Sequence, residues 1–368
     1  LSSSQTSWLI SGAKPFQFST PAAVSSSIGW QNISTLDIGT DIRVLNNALG
    51  LTVDWYQRDT QGMIVPEAGL PTTYGTTAPQ GNFGSLRTKG IEFALDYNHT
   101  FSNGLRVNFV AITSNAITKI TKYGTVTSID DWYVGKTYGE IWGYQTDRLF
   151  QKSDFVYNSP GDPAPATTVV NGRTVYQFAD GNTPIQGKEI LSGAGSSSSF
   201  KFGPGDVKFK DLNHDGVITP GSRTVNDHGD LKVIGNSTPR WEYSFRAGAS
   251  WKGFDFSFFL QGVGSRQLWG DGSLAIPGYN SSDGGMPQAF ASNFWRSDRT
   301  GAFYPRPWNQ GSSNVGNNMQ PQSRYLLNMA YLRVKNIQLG YNLPESVIRR
   351  AHLTRVRVYI SLENFFTF

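Results

Sequence analysis

The chain has 368 residues, of which 16% are charged and 13% aromatic, with 40 glycines, no cysteine and a formal net charge of +5. The lack of cysteine excludes disulfides and thiolate chemistry and suits an oxidising envelope. The mild charge, with no run of Lys and Arg, offers no nucleic-acid face. Mean hydropathy is −0.35, and no apolar run approaches the ~18 residues of a membrane helix. A transmembrane barrel keeps such a polar average, because its strands alternate lipid-facing and lumen-facing residues.

The opening "LSSSQTSWLISGAKPF" has neither the basic start nor the apolar stretch of a signal peptide, so the numbering begins within the structure or after a removed segment. Beyond it, strand alternation replaces helical periodicity. "LDIGTDIRV" and "LGLTVDWYQ" form a first pair across the short turn "LNN". In "IEFALDYN", Ile91, Phe93, Leu95 and Tyr97 share one face, and "LRVNFVA" repeats the design with Leu105, Val107, Phe109 and Ala111 after the turn "SNG". A long connection over residues 152–238 follows, rich in Gly, Ser, Pro, Asn and Asp.

Alternation resumes in "WEYSFRAGASW", where Trp241, Tyr243, Phe245, Ala247, Ala249 and Trp251 face one way. "GFDFSFFLQG" aligns Phe254, Phe256, Phe258 and Leu260 after the turn at Lys252-Gly253. A second long connection covers 266–323, and the last pair is "IQLGYNL" with "RVRVYISLE". "YLRVKNIQLGY" shifts phase between Val334 and Ile337, which predicts a bulge. Short turns on one side, long loops on the other and aromatic strand ends (Trp55, Tyr56, Tyr97, Trp241, Trp251, Tyr341) predict an all-β fold. Its form is an antiparallel transmembrane β-barrel with about ten to twelve spanning strands of ~9–11 residues, and the two long connections are its extracellular loops. A soluble β-sandwich or propeller also alternates, but no blade-length repeat appears. Glu92, Asp96, Arg106, Glu242, Arg246 and Arg357 are expected on a solvated or salt-bridged inner wall.

"GDVKFKDLNHDGVIT", followed by "VIGNSTPRWEYSFRAGASWKGFDFSFFLQGVGSRQLW", resembles the SusC-like TonB-dependent outer-membrane transporters of Bacteroidetes. So do the closing "YLRVKNIQLGYNLPESVIRRAHLTRVRVYISLENFFTF" and the earlier "LGLTVDWYQRDTQGMI" and "NFGSLRTKGIEFALDYN". The resemblance implies a barrel of about 22 strands, closed by a plug, energised through TonB and covered by a SusD-like lipoprotein lid. No plug, TonB box or carboxypeptidase-like extension is found, so the chain is expected to be the C-terminal part of such a barrel. The function implied is active import of a glycan or oligopeptide across the outer membrane. A passive outer-membrane porin and a soluble carbohydrate-binding or hydrolytic β domain remain as alternatives.

Two loops carry candidate site residues. In "KDLNHDGVITPGS", Asp211, Asn213 and Asp215 occupy the first, third and fifth places of a calcium loop, Gly216 permits the sharp turn and Val217 offers its carbonyl. Ser222 stands where an EF-hand places its bidentate Glu, and Asp227 or Asp230 is expected to complete the shell. The expected ligand is a structural divalent cation, calcium before magnesium; an Asx-rich turn without metal is the alternative. In "NFWRSDRTGAFYPRPWN", Trp295, Tyr304 and Trp308 beside Arg306 suit sugar rings or peptide backbones, and packing against neighbouring loops or the lid is the competing reading. No nucleophile elbow, P-loop or zinc motif occurs, so no enzyme is expected and no catalytic residue is assigned.

Overall fold

A computed structural model describes residues 3–5, 8–18, 28–67, 70, 73, 78–170, 173–187, 201–270, 288–307, 318–349 and 352–368. Eight strands form one sheet: β1 (Asn32–Val44), β2 (Leu49–Pro66), β3 (Gln80–Thr100), β4 (Arg106–Tyr123), β5 (Arg240–Trp251), β6 (Phe254–Ser265), β7 (Tyr331–Asn342) and β8 (Arg357–Thr367). Their order in the sheet is their order in the chain, an uninterrupted meander. The pairs β4–β5, β5–β6, β6–β7 and β7–β8 are antiparallel. Among the described residues the sheet thus has eight strands, against an expected ten to twelve. The difference lies in the long connections, where short segments of 2 to 6 residues pair with one another instead of joining the sheet.

β5, β6 and β7 have 12 residues and β8 has 11, close to the ~9–11 that cross a bilayer at a tilt. Register puts like with like, as a two-residue period demands. Trp251, Ala249, Ala247 and Phe245 of β5 lie opposite Phe254, Phe256, Phe258 and Leu260 of β6. These in turn face Tyr341, Leu339, Ile337 and Val334 of β7. That apolar face is left uncovered: Ile360 is 69% exposed, Phe254 54% and Leu339 51%. A soluble sandwich would bury it against a second layer; lipid is the solvent that suits it. The predicted bulge is present. Phe259 pairs with Asn336 and Leu260 with Val334, so Lys335 drops out of register, and β7–β8 shifts at the same place.

The chain divides into two compact units. One comprises Leu1–Ile42, Thr52–Phe93 and Asn115–Tyr138. Its small core is Val65, Ile120 and Tyr123, flanked by Met63, Phe83, Leu86, Val126 and Trp132. Asn82 ties three segments by accepting from Gly29 N–H at 2.7 Å and donating to the Gly29 and Gly62 carbonyls.

The other unit comprises Arg43–Leu51, Ala94–Ser114 and Gly139–Phe368. It holds the short turns and the folded long loops. Leu45, Asn46 and Asn47 take positive φ in the turn before β2, and Lys252 and Gly253 do so between β5 and β6. In the first long connection, Glu140–Tyr144 pairs with Leu231–Asn236, and Thr146–Leu149 with Val207–Phe209, both antiparallel. Phe150, Phe155 and Phe178 pack their rings together, and Tyr144 stacks on Phe209 at 4.8 Å. These long connections therefore have a core of their own.

Candidate functional site

The aspartate loop lies between the strand segments Val207–Phe209 and Val217–Ile218; the latter pairs in parallel with Ile185–Gln186. The loop is built on side-chain oxygens accepting backbone N–H groups, the local chemistry that draws Asp and Asn to turns. Asp211 accepts from His214 N–H at 2.6 Å and from Gly216 N–H at 2.9 Å. Asn213 accepts from Asp215 N–H at 3.1 Å, and Asp215 accepts from Val217 N–H at 2.8 Å and from the Asn213 amide at 2.9 Å. His214 and Gly216 take φ of 62° and 81°, which the reversal requires.

Asp230 is fully buried and closes the loop from beneath, accepting from Leu212 N–H at 2.7 Å and Thr219 N–H at 2.8 Å. Burial pushes its carboxyl above the usual carboxylate range, the three backbone N–H groups it faces oppose that, and the charge of Asp211 adds to the rise. Asp227 is turned elsewhere. Its carboxylate accepts from Ser222 N–H at 2.9 Å, and the Ser222 hydrogen bonds hold it below the usual range. The structure thus brings Asp211, Asn213, Asp215 and Asp230 to one loop and gives Asp227 a turn of its own. Among the described residues, no three His, Cys, Asp or Glu side chains converge to hold a metal ion. Beside the loop runs an open groove of about 720 Å³, lined by Asp147, Asn182, Lys208, Lys210, Asp211 and His214 among others.

The aromatic–arginine loop is assembled around the turn at Gly205-Asp206. Trp295 N–H donates to the Tyr304 carbonyl at 2.9 Å, and Arg306 N–H donates to the Gly205 carbonyl at 2.9 Å. A methyl group on Gly205 would lie 2.4 Å from the Trp295 ring, so the indole packs directly on that glycine. Trp295 is only 6% exposed, and its Nε1 donates to Gln151 at 3.4 Å. The Arg306 guanidinium donates to the buried Asp206 carboxylate at 3.1 Å. Tyr304 stacks nearly parallel on Tyr325 at 5.8 Å, and burial raises the phenols of both. Trp295, Tyr304 and Arg306 are thus brought together, all three engaged in holding loop to loop. Trp308 lies outside the described residues.

The residues that organise this region were missed in the sequence. Asp206 also accepts from the Asn318 amide at 2.9 Å and Gly203 N–H at 2.8 Å; Asn318 accepts from Val207 N–H at 2.8 Å. Gln186 accepts from Phe209 N–H at 2.8 Å, and Gln322 donates to the Asn318 carbonyl at 2.7 Å. Asp206, Asn318, Gln186 and Gln322 are all buried, and each is hydrogen-bonded as burial requires.

No protein-family model matches the chain. A protein named TonB-dependent receptor P3, from Formosa agariphila, is 27% identical over 348 residues, covering 94% of this chain and 30% of that protein. The TonB-dependent receptor SusC of Bacteroides thetaiotaomicron is 23% identical over 337 residues, covering 89% of this chain and 27% of that protein. The chain therefore spans less than a third of the length of these relatives. Among solved structures, the RagAB peptide transporter superposes with a TM-score of 0.64 at 18% identity, covering 100% of this chain and 34% of the other. At that identity the likeness is one of fold.

Proposed function

We propose that the chain is part of the β-barrel of a SusC-like TonB-dependent receptor, and that the full-length protein imports a bulky nutrient across the outer membrane of a Gram-negative cell. The observation that supports this most directly is the uncovered apolar face of an eight-stranded meander, in a chain whose relatives carry the receptor name over about nine tenths of its length. TonB-dependent receptors are outer-membrane proteins, and the relatives are receptors and transporters rather than enzymes. Energy would arrive through TonB, and a SusD-like lipoprotein would serve as lid. An oligopeptide cargo is supported by the likeness to a peptide transporter. A glycan is supported by the flat aromatics and arginines of residues 293–309. In either case Tyr304, Arg306 and Trp308 are the proposed contacts, with buried Trp295 supporting Tyr304 through its backbone.

The test is uptake of a fluorescent oligopeptide and a labelled oligosaccharide by cells producing the full-length protein, with TonB intact or disrupted. TonB-dependent uptake of one cargo supports the reading. Equal uptake of both without TonB would make the protein a passive porin, and recovery in the soluble fraction would favour a carbohydrate-binding β domain.

For the aspartate loop we propose one structural divalent cation, calcium before magnesium. Each carboxylate oxygen that accepts a single N–H keeps a further lone pair. Asp211, Asn213 and Asp215, with the Val217 carbonyl, would contribute oxygens, Asp230 would act as a strut, and Asp227 would reach the ion only by leaving Ser222.

A further inference from the structure

Strand register lays out the inner face of the sheet row by row. One row is Val110, Arg246, Phe259 and Asn336, each directly opposite the next across β4, β5, β6 and β7. The next row is Ile112, Ser244, Gln261 and Arg333, and the one beyond it is Ser114, Glu242, Val263 and Tyr331. Directly opposed side chains stand about 5 Å apart, so the three rows form one continuous patch.

Phe259 is shared by two hollows in this patch. The first, of about 340 Å³, is lined by Ile112, Glu242, Ser244, Phe259 and Gln261 among others. The second, of about 310 Å³, is lined by Arg246, Ser257, Phe259 and Asn336 among others. Each hollow thus holds one charge, a carboxylate in the first and a guanidinium in the second. Elsewhere on this face Asp255 pairs with Arg357, and Arg43 with Asp96. Glu242 and Arg246 are both exposed, and among the described residues neither side chain has a hydrogen-bond or ion-pair partner. Four residues apart on β5, their backbones are separated by roughly 13 Å.

A ligand that fills both hollows therefore needs a cation and an anion about that far apart. A neutral glycan leaves both charges without a counter-charge, and an acidic glycan is repelled by Glu242. An extended oligopeptide of about four residues fits, because its free ends lie nearly the same distance apart. Phe259 offers apolar contact to a side chain between those ends, and Ser244, Gln261 and Asn336 offer hydrogen bonds to the backbone.

We infer that this patch is a peptide-binding subsite, with Glu242 taking the terminal ammonium and Arg246 the terminal carboxylate. The subsite rests on the import reading and deepens it, because it selects oligopeptide over glycan as the cargo.

The experiment is calorimetric titration of the full-length protein in detergent with tetra-alanine, free at both ends, N-acetylated or C-amidated. Wild type should bind the free peptide and lose about tenfold in affinity for either blocked form. Glu242→Gln should weaken the free peptide by the same factor, lose nothing further on acetylation, and still respond to amidation. Arg246→Gln should show the converse, so each variant also reports that it is folded. Wild-type binding that neither variant weakens overturns the proposal, as does failure of the free peptide to bind. Binding of a neutral glucose tetrasaccharide that both variants weaken also overturns it, making this a glycan subsite. Uptake by cells tests the import reading separately: TonB-independent entry of tetra-alanine defeats that reading and leaves the calorimetric result standing.

Discussion

Asp255 and Arg357 are ion-paired although their strands are not neighbours. β7 lies between β6 and β8, and the Arg357 Nε–Asp255 Oδ2 contact of 3.0 Å passes over Gly340. A methyl group at that glycine would lie 2.5 Å from Arg357 Nη2 and 2.7 Å from Asp255 Oδ2. The device recurs on β1 to β3, where Arg43 reaches Asp96 at 2.8 Å above Gly50. In each case the middle strand gives up a side chain so that two charges can meet on the inner face.

These two glycines should therefore behave as part of their ion pairs. The Asp255 and Arg357 side chains remain 29% and 26% exposed, so the pair is screened and contributes about 0.2–1 kcal/mol. Gly340→Ala should cost no more than that and should cost nothing further in an Arg357→Ala background. Gly262→Ala is the contrast, because its new methyl would meet the Tyr331 carbonyl at 2.4 Å, a backbone atom. It should cost about 1–3 kcal/mol. Denaturant unfolding of the full-length protein in detergent, run as a double-mutant cycle, measures all of these.

In the loop network, the two ends of the Arg306–Asp206 pair are not equivalent. Asp206 is fully buried, and Arg306 keeps 28% of its side chain exposed. Arg306→Ala strands a buried carboxylate and should destabilise the loops by about 3 kcal/mol, whereas Asp206→Asn frees an arginine that can reach water and should cost less. Protease resistance of residues 201–210 and 293–307 should fall in that order.

Two aspartates of the long loops should respond to acid with opposite sign. Burial pushes Asp154 up, but the two hydrogen bonds from Arg148 and the one from Gln151 N–H outweigh it, leaving its carboxyl below the usual range. Its contribution is present above the ordinary carboxylate value of about 4 and is lost as pH falls through its depressed value. Asp230 is raised instead, so its contribution is full below the ordinary value and is lost as pH rises through its elevated one. In chelator-treated protein, hydrogen exchange corrected for intrinsic rates should show 211–219 tightening on acidification from neutrality and 148–155 loosening only at lower pH. Asp230→Asn should flatten the first response and leave the second.

For the proposed cation, purified protein should carry about one divalent ion, and chelation should speed cleavage within residues 200–235. Asp211→Ala should reproduce the chelated pattern without unfolding the sheet. Equal cleavage in both conditions, with no bound ion, would leave the loop as a self-capped turn.

The membrane-facing sheet was legible because its code is local. A period of two identifies the strands, the short turns at 45–48, 101–105 and 252–253 identify three of the pairings, and the phase slip at Lys335 identifies the bulge. The loop region was not, for two reasons. Its paired segments of 2 to 6 residues are too short for alternation to register. Its organising contacts also join residues far apart in sequence, as Asp206 and Asn318 are, separated by 112 positions. Residue type suggested Trp295 as a ligand platform, but its exposure is set by Gly205, and spacing grouped Asp227 with Asp211 although Ser222 holds it elsewhere.

The antiparallel pairing of Glu140–Tyr144 with Leu231–Asn236, sealed where Ser237 N–H meets the Gly139 carbonyl at 2.7 Å, also bears on assembly. Bringing together the ends of a connection of about a hundred residues costs about 3 kcal/mol more than closing a two-residue turn. Here that cost falls on a neck that can close as its own small core forms. Once it has closed, β5 can zip onto β4 at nearly the speed of an ordinary hairpin. The excursion between 140 and 236 can then lengthen, shorten or be exchanged without slowing the insertion of the strands on either side.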